Sequence, residues 1–216
     1  IDTGTTEDLW GIFGFSNDEL WIVGGDPNAG EPLLLHYDGS DFTPATIAPE
    51  DNPQNALALF KVWGIGSRLF AVGQKGLILS YDGSSWVNSP AGAMANQDFV
   101  SLWGTSEDHI VAVGGRNNAR ISYWDGSSWD TVAPSGLGGL NAVYMTEPEQ
   151  AVIGGIFGYV GRFEPASGEV ISESDPLTNV DIHAMWGDDQ GKFYAVGGTF
   201  LEPHKGALLV RTLQEI

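Results

Sequence analysis

At 216 residues, with 42% apolar and 17% charged side chains, the chain has the composition of one globular domain with a sizeable core rather than a disordered segment. Its 28 acidic against 9 basic residues give a formal charge of −19, which repels nucleic-acid phosphates and anionic membrane surfaces, so neither is an expected partner. The lack of cysteine excludes disulfides, thiolate chemistry and Cys-ligated metals, and no apolar run approaches the roughly 20 residues of a membrane helix.

In chain order the predicted elements recur. The first unit offers Trp10-Gly11, then IVGG at Ile22 to Gly25, then HYDGSDF at His36 to Phe42. The second offers Trp63-Gly64, AVG at Ala71 to Gly73, and SYDGSSW at Ser80 to Trp86; the third offers Trp103-Gly104, AVGG at Ala112 to Gly115, and YWDGSSW at Tyr123 to Trp129. In the fourth, Tyr144-Met145 stands for the aromatic-Gly pair, followed by VIGG at Val152 to Gly155 and a worn RFEPASGEV at Arg162 to Val170. The fifth has Trp186-Gly187 and AVGG at Ala195 to Gly198, and leaves room for only three strands before Ile216.

Between these anchors lie runs of three to six residues rich in Val, Ile, Leu, Phe and Trp, with no helical periodicity. Each Asp-Gly phrase is a hairpin turn, because Gly takes φ > 0 and Asp and Ser bond their own backbone. A four-stranded antiparallel unit recurring about every 40 to 45 residues predicts an all-β, five-bladed β-propeller with an incomplete last blade. The single domain spans 1–216, with units at 7–48, 58–91, 99–134, 140–173 and 181–216. All eight Trp residues are assigned to recurring positions and hence to packing between sheets.

These anchors resemble those of bacterial, kelch-like β-propellers, which place a double Gly after the second strand and Tyr and Trp around the next hairpin. The Tyr-to-Trp spacing is shorter here, Gly73-Gln74 replaces one double Gly, and the last two units lack the closing Trp. DGSSW is also similar to a shortened Asp-box turn of sialidase-type propellers. Such folds carry lectins, hydrolases, lyases and scaffolds, so the resemblance implies architecture and not activity.

Loops between second and third strands and between blades share one face and differ in every unit, which is where binding residues concentrate on a rigid repeat. The candidate ligand-binding residues on that face are Asp26, Asn28, Asn52, Arg116, Asn117, Asn118, Phe157, Tyr159, Phe200, Glu202 and His204. Amides, carboxylates and aromatics together suit sugar hydroxyls and the apolar faces of sugar rings. The expected function is therefore a non-enzymatic binding module for carbohydrate or glycoconjugate. A protein-interaction scaffold is the alternative, and a propeller glycoside hydrolase or lyase comes after it.

No catalytic residue is assigned, because the four His residues have no metal-ligand spacing and Asp181 is the nearest acidic candidate on an inner strand. No cofactor is expected beyond calcium at the Asp26 to Glu31 run, which resembles the start of a calcium loop with its Gly one place early. The opening at Ile1 rather than Met is read as removal of something upstream, and an exported bacterial protein, extracellular or periplasmic, is expected. The unfinished fifth blade leaves an edge through which an oligomer could form.

Overall fold

The computed structural model describes residues 2–172, 178–188 and 190–212. Among the described residues nineteen strands form five antiparallel sheets arranged as blades, the first four with four strands and the fifth with three. Blade 1 holds β1 (Leu9–Ser16), β2 (Glu19–Gly24), β3 (Leu33–Tyr37) and β4 (Phe42–Pro44). Blade 2 holds β5 (Leu59–Ile65), β6 (Arg68–Gly73), β7 (Ile78–Tyr81) and β8 (Trp86–Asn88), and blade 3 holds β9 (Phe99–Ser106), β10 (His109–Gly114), β11 (Arg120–Trp124) and β12 (Trp129–Val132). Blade 4 is β13 (Leu140–Glu147), β14 (Gln150–Gly155), β15 (Val160–Glu164) and β16 (Glu169–Ser172); blade 5 is β17 (Asp181–Gly187), β18 (Lys192–Gly198) and β19 (Gly206–Thr212). This is the five-bladed propeller with an incomplete last blade.

The first strand of each blade is innermost, and β1, β5, β9, β13 and β17 pack on one another in that order. The apolar core is split among the four blade-to-blade interfaces. Trp21, Val23 and Leu34 of blade 1 meet Leu59, Val62, Leu69, Leu79 and Trp86 of blade 2. On its other face blade 2 sets Trp63, Phe70, Val72 and Ile78 against Phe99, Leu102, Ile110, Trp124 and Trp129 of blade 3. Alternate residues of each strand thus serve opposite interfaces, as the period-2 geometry of a strand requires.

The DGSS phrase is explained at the same level. In blade 2 the Asp82 carboxylate accepts the N–H groups of Ser84 and Ser85 at 2.8 and 2.7 Å and the Ser84 hydroxyl at 2.9 Å. Asp38 and Asp125 do the same in their hairpins. The Gly of each phrase is left-handed, with φ of 94° at Gly39, 96° at Gly83 and 93° at Gly126. Backbone N–H donors hold all three carboxyls below the ordinary Asp range, Asp38 and Asp125 at about 2.

Strand pairing corrects one anchor. Phe13 faces Trp21 as Trp63 faces Phe70 and Trp103 faces Val111, so the partner of Trp63-Gly64 in blade 1 is Phe13-Gly14, not Trp10-Gly11. Phe13, Trp63, Trp103 and Tyr144 then form a ladder around the inner strands, with successive ring centroids 6.2, 5.6 and 5.2 Å apart. Trp21, Trp63, Trp86, Trp103, Trp124 and Trp129 occupy the interfaces as expected. Trp10 and Trp186 do not: each leaves about half of its surface exposed. Both Trp10 and Phe13 precede a Gly, so the aromatic-Gly pair alone does not distinguish them.

Candidate functional site

Near its start every inner strand has one residue more than its partner there, a β-bulge. The skip falls between Leu9 and Gly11, Leu59 and Lys61, Phe99 and Ser101, Leu140 and Ala142, and Ile182 and Ala184. The five bulged residues are Trp10, Phe60, Val100, Asn141 and His183, and all line one cavity of about 550 Å³ at the channel mouth on the variable-loop face. The opposing Gly of each second strand allows this. A Cβ on Gly24, Gly73, Gly114, Gly155 or Gly197 would fall 1.9 to 2.3 Å from an inner-strand or preceding carbonyl oxygen.

Two bulged side chains are anchored alike. Trp10 donates its indole N–H to the Gly25 carbonyl at 3.0 Å, and His183 Nε2 bonds the equivalent Gly198 carbonyl, also at 3.0 Å. Asn141 donates to the Ile182 carbonyl at 2.9 Å and so ties blade 4 to blade 5. Trp10 meets Phe60 edge-on at 5.8 Å, while His183 lies under the Phe200 ring at 4.6 Å. One residue further along β5, burial lowers the pKa of the Lys61 amine, with no carboxylate offsetting it.

Beside the mouth, Arg116 pairs with Asp98 through Nη2 and Nε, both 2.9 Å from Oδ2. The other oxygen of Asp98 accepts the Lys75 N–H at 3.0 Å. Asp181, the equivalent residue of blade 5, accepts the Phe157 N–H at 2.9 Å. These carboxylates hold turns: Lys75 and Phe157 both sit in left-handed backbone, φ 56° and 57°. For a phenylalanine that conformation is costly, and here it projects a ring that is 73% exposed.

Of the candidate residues, Asn117, Asn118, Phe157 and Tyr159 come together around a cavity of about 690 Å³ between blades 3 and 4. Arg116 and Phe200 line the channel mouth, and Phe157, Phe200 and Glu202 line a third depression of about 460 Å³ with Leu201 and Lys205. The others serve their own loops. Asp26 accepts from the backbone and side-chain amides of Asn28 at 2.8 and 3.1 Å, Asn52 makes a two-way bond with the Ala56 backbone, and His204 pairs with Glu202 at 3.2 Å. Tyr159 is partly structural: its ring packs on the core between blades 3 and 4, its hydroxyl meets Ser172 Oγ at 3.1 Å, and burial raises its pKa.

The bulge row is not marked in the sequence as the variable loops are, because it lies on strands whose other residues read as core. Its signal is present once the strands are aligned on Phe13: LWGIFG, LFKVWG, FVSLWG, LNAVYM and IHAMWG differ most at their second position.

A propeller with a pocketed loop face is the class of protein these features define. No protein-family model matches the chain, and no curated protein sequence matches it. Solved structures do. YCF48 from Cyanidioschyzon merolae superposes with a TM-score of 0.62 at 16% identity, covering 92% of this chain and 67% of that one. A structure of YCF48 bound to D1 peptide gives 0.64 at 15%, covering 91% and 62%. Virginiamycin B lyase from Staphylococcus aureus gives 0.71 at 10%, covering 96% and 71%. At such identities the likeness establishes the fold, and the chain spans about two thirds of the length of these propellers.

Proposed function

We propose that the chain is a binding module that holds an extended protein segment across its variable-loop face. The observation that carries this reading is continuity. The cavity between blades 3 and 4 shares Phe157 with the third depression, which shares Phe200 with the channel mouth. Phe200 and Leu201 are 82% and 81% exposed along that path, so large apolar side chains wait in water where a partner would cover them. A run of linked hollows separated by phenyl rings suits alternate side chains of a peptide. The net charge of −19 favours a basic segment by long-range attraction. One of the similar propellers is described as bound to a peptide, which agrees with this reading.

A carbohydrate ligand is the second reading. It is favoured by Asn117, Asn118 and the Tyr159 hydroxyl around the cavity between blades 3 and 4, where amides and an aromatic edge converge. Binding of the purified protein to a peptide array and a glycan array, each with calcium and with chelator, decides between the two. Selective peptide hits weakened tenfold or more by Phe157→Ala or Phe200→Ala support the protein reading. A glycan hit abolished by Asn117→Ala or Asn118→Ala replaces it, and calcium dependence would bring the Asp26 loop into the site.

A further inference from the structure

The two end blades each expose a face that every interior blade buries. In blade 2, Leu59 and Val62 are fully buried against blade 1, and Trp63, Val72 and Ile78 are at most 6% exposed against blade 3. Strand pairing makes Leu9 and Ile12 the blade 1 counterparts of Leu59 and Val62, and these are 44% and 59% exposed. It makes Trp186, Val196 and Leu208 the blade 5 counterparts of Trp63, Val72 and Ile78, and these are 55%, 46% and 64% exposed. The faces are opposite in kind, one receiving and one presenting. Yet β17 and β1 form no interface like that between β13 and β17.

We infer that the wedge between blades 5 and 1 is filled by two further four-stranded blades of the same repeat, carried on polypeptide joined to these 216 residues. The occupant follows from continuity with the existing interfaces. A surface built to the pattern of Trp63, Phe70, Val72 and Ile78 is met in this molecule by a neighbouring blade's Leu or Phe, Leu or Val and Ala positions, as Phe99, Leu102 and Ala112 meet it in blade 3. Blade 5 repeats the pattern with Trp186, Tyr194, Val196 and Leu208, so it calls for the same complement. Moreover the fifth sheet has three described strands where each of the other four has four. Five blades extend over 62 to 71% of the chains of the three propeller structures named above, the proportion of a ring of seven or eight. Two blades complete the smaller of these rings.

The test extends the chain with its own units. Residues 38–137 joined after Thr212 supply a DGSD turn, an outer strand and copies of blades 2 and 3; residues 82–137 supply one copied blade. Melting, binding of an apolar dye and sedimentation velocity are compared among the three chains. The two-blade chain is expected to be monomeric, to bind several-fold less dye than the unextended chain and to melt at least about 5 °C higher, with the one-blade chain between them. In the unextended chain, Leu208→Asp is expected to lower dye binding and leave melting unchanged.

Three results would overturn the inference. One is an unextended chain that forms a closed dimer dissociated by Leu208→Asp, which would make a second copy the occupant. Another is an unextended monomer that binds no dye and melts like its extended forms. The third is a clear loss of melting temperature from Leu208→Asp in the unextended chain, which would mean the face is already covered.

Discussion

Two rows of residues lie three positions apart on the same inner strands and behave differently. Phe13, Trp63, Trp103, Tyr144 and Trp186 are alike in every blade, and the first four stack into a ladder. Trp10, Phe60, Val100, Asn141 and His183 have five different chemistries and share one cavity. A repeat protein solves the same packing problem in each unit, so sameness around the ring marks the core. Difference at an equivalent, solvent-facing position marks a place where the units are free to specialise.

The contrast breaks if the two rows respond alike to truncation. The largest expected effect is on the aromatic row: Trp63→Ala or Trp103→Ala removes a ladder member and is expected to cost roughly 3–5 kcal/mol in denaturant unfolding. His183→Ala and Phe60→Ala in the bulge row are expected to leave most of the stability intact while weakening a peptide hit tenfold or more, measured by calorimetry. A bulge-row variant that unfolds like Trp63→Ala would return that row to the core.

A sharper probe is Lys61, which lies just past the bulge. Its lowered pKa means that the folded protein loses this proton more readily than the unfolded chain. Stability is therefore expected to rise as pH climbs through the folded value toward the ordinary 10.5, and Lys61→Met is expected to raise the melting temperature at neutral pH and remove that rise.

Phe157→Gly separates strain from recognition. Glycine accepts the left-handed backbone without a Cβ penalty, so melting is expected to hold or rise slightly while ligand binding falls. The smallest effect is expected far from the site, in the hairpins. Asp38, Asp82 and Asp125 have lowered pKa values, so their stabilisation is complete above the ordinary 3.8 and is lost as pH falls through the folded values, about 2 for Asp38 and Asp125. The triple Asp→Asn variant is expected to flatten the pH dependence of melting between about pH 4 and 2 and to leave ligand affinity untouched.

The architecture was readable because its signals are local. DGSS turns, Gly pairs and short apolar runs each report a hairpin or a strand end, and their recurrence reports the blade. The channel-mouth row was not readable in the same way, because a bulge is a relation between two strands and leaves no mark in either alone. Aligning on Trp10 instead of Phe13 hid it further. The loop residues divide for a related reason: Asn117, Asn118 and Phe157 gather because blades 3 and 4 are neighbours, whereas Asp26 and Asn52 spend their polar groups on their own turns. Side-chain type was visible in the chain, but prior engagement was not.

The glycines opposite the bulges carry a cost that falls on evolution as much as on folding. A methyl group at Gly114 would sit 1.9 Å from the Asp98 carbonyl oxygen, and the backbone would have to part there. Parting it would carry Val100 away from the cavity and disturb Asp98, whose carboxylate positions both Lys75 and Arg116. Drift in the five cavity-facing residues is thus licensed by immobility in the five that oppose them. A blade of this kind can be copied and its inward residue rewritten, provided that one hydrogen atom never becomes a carbon.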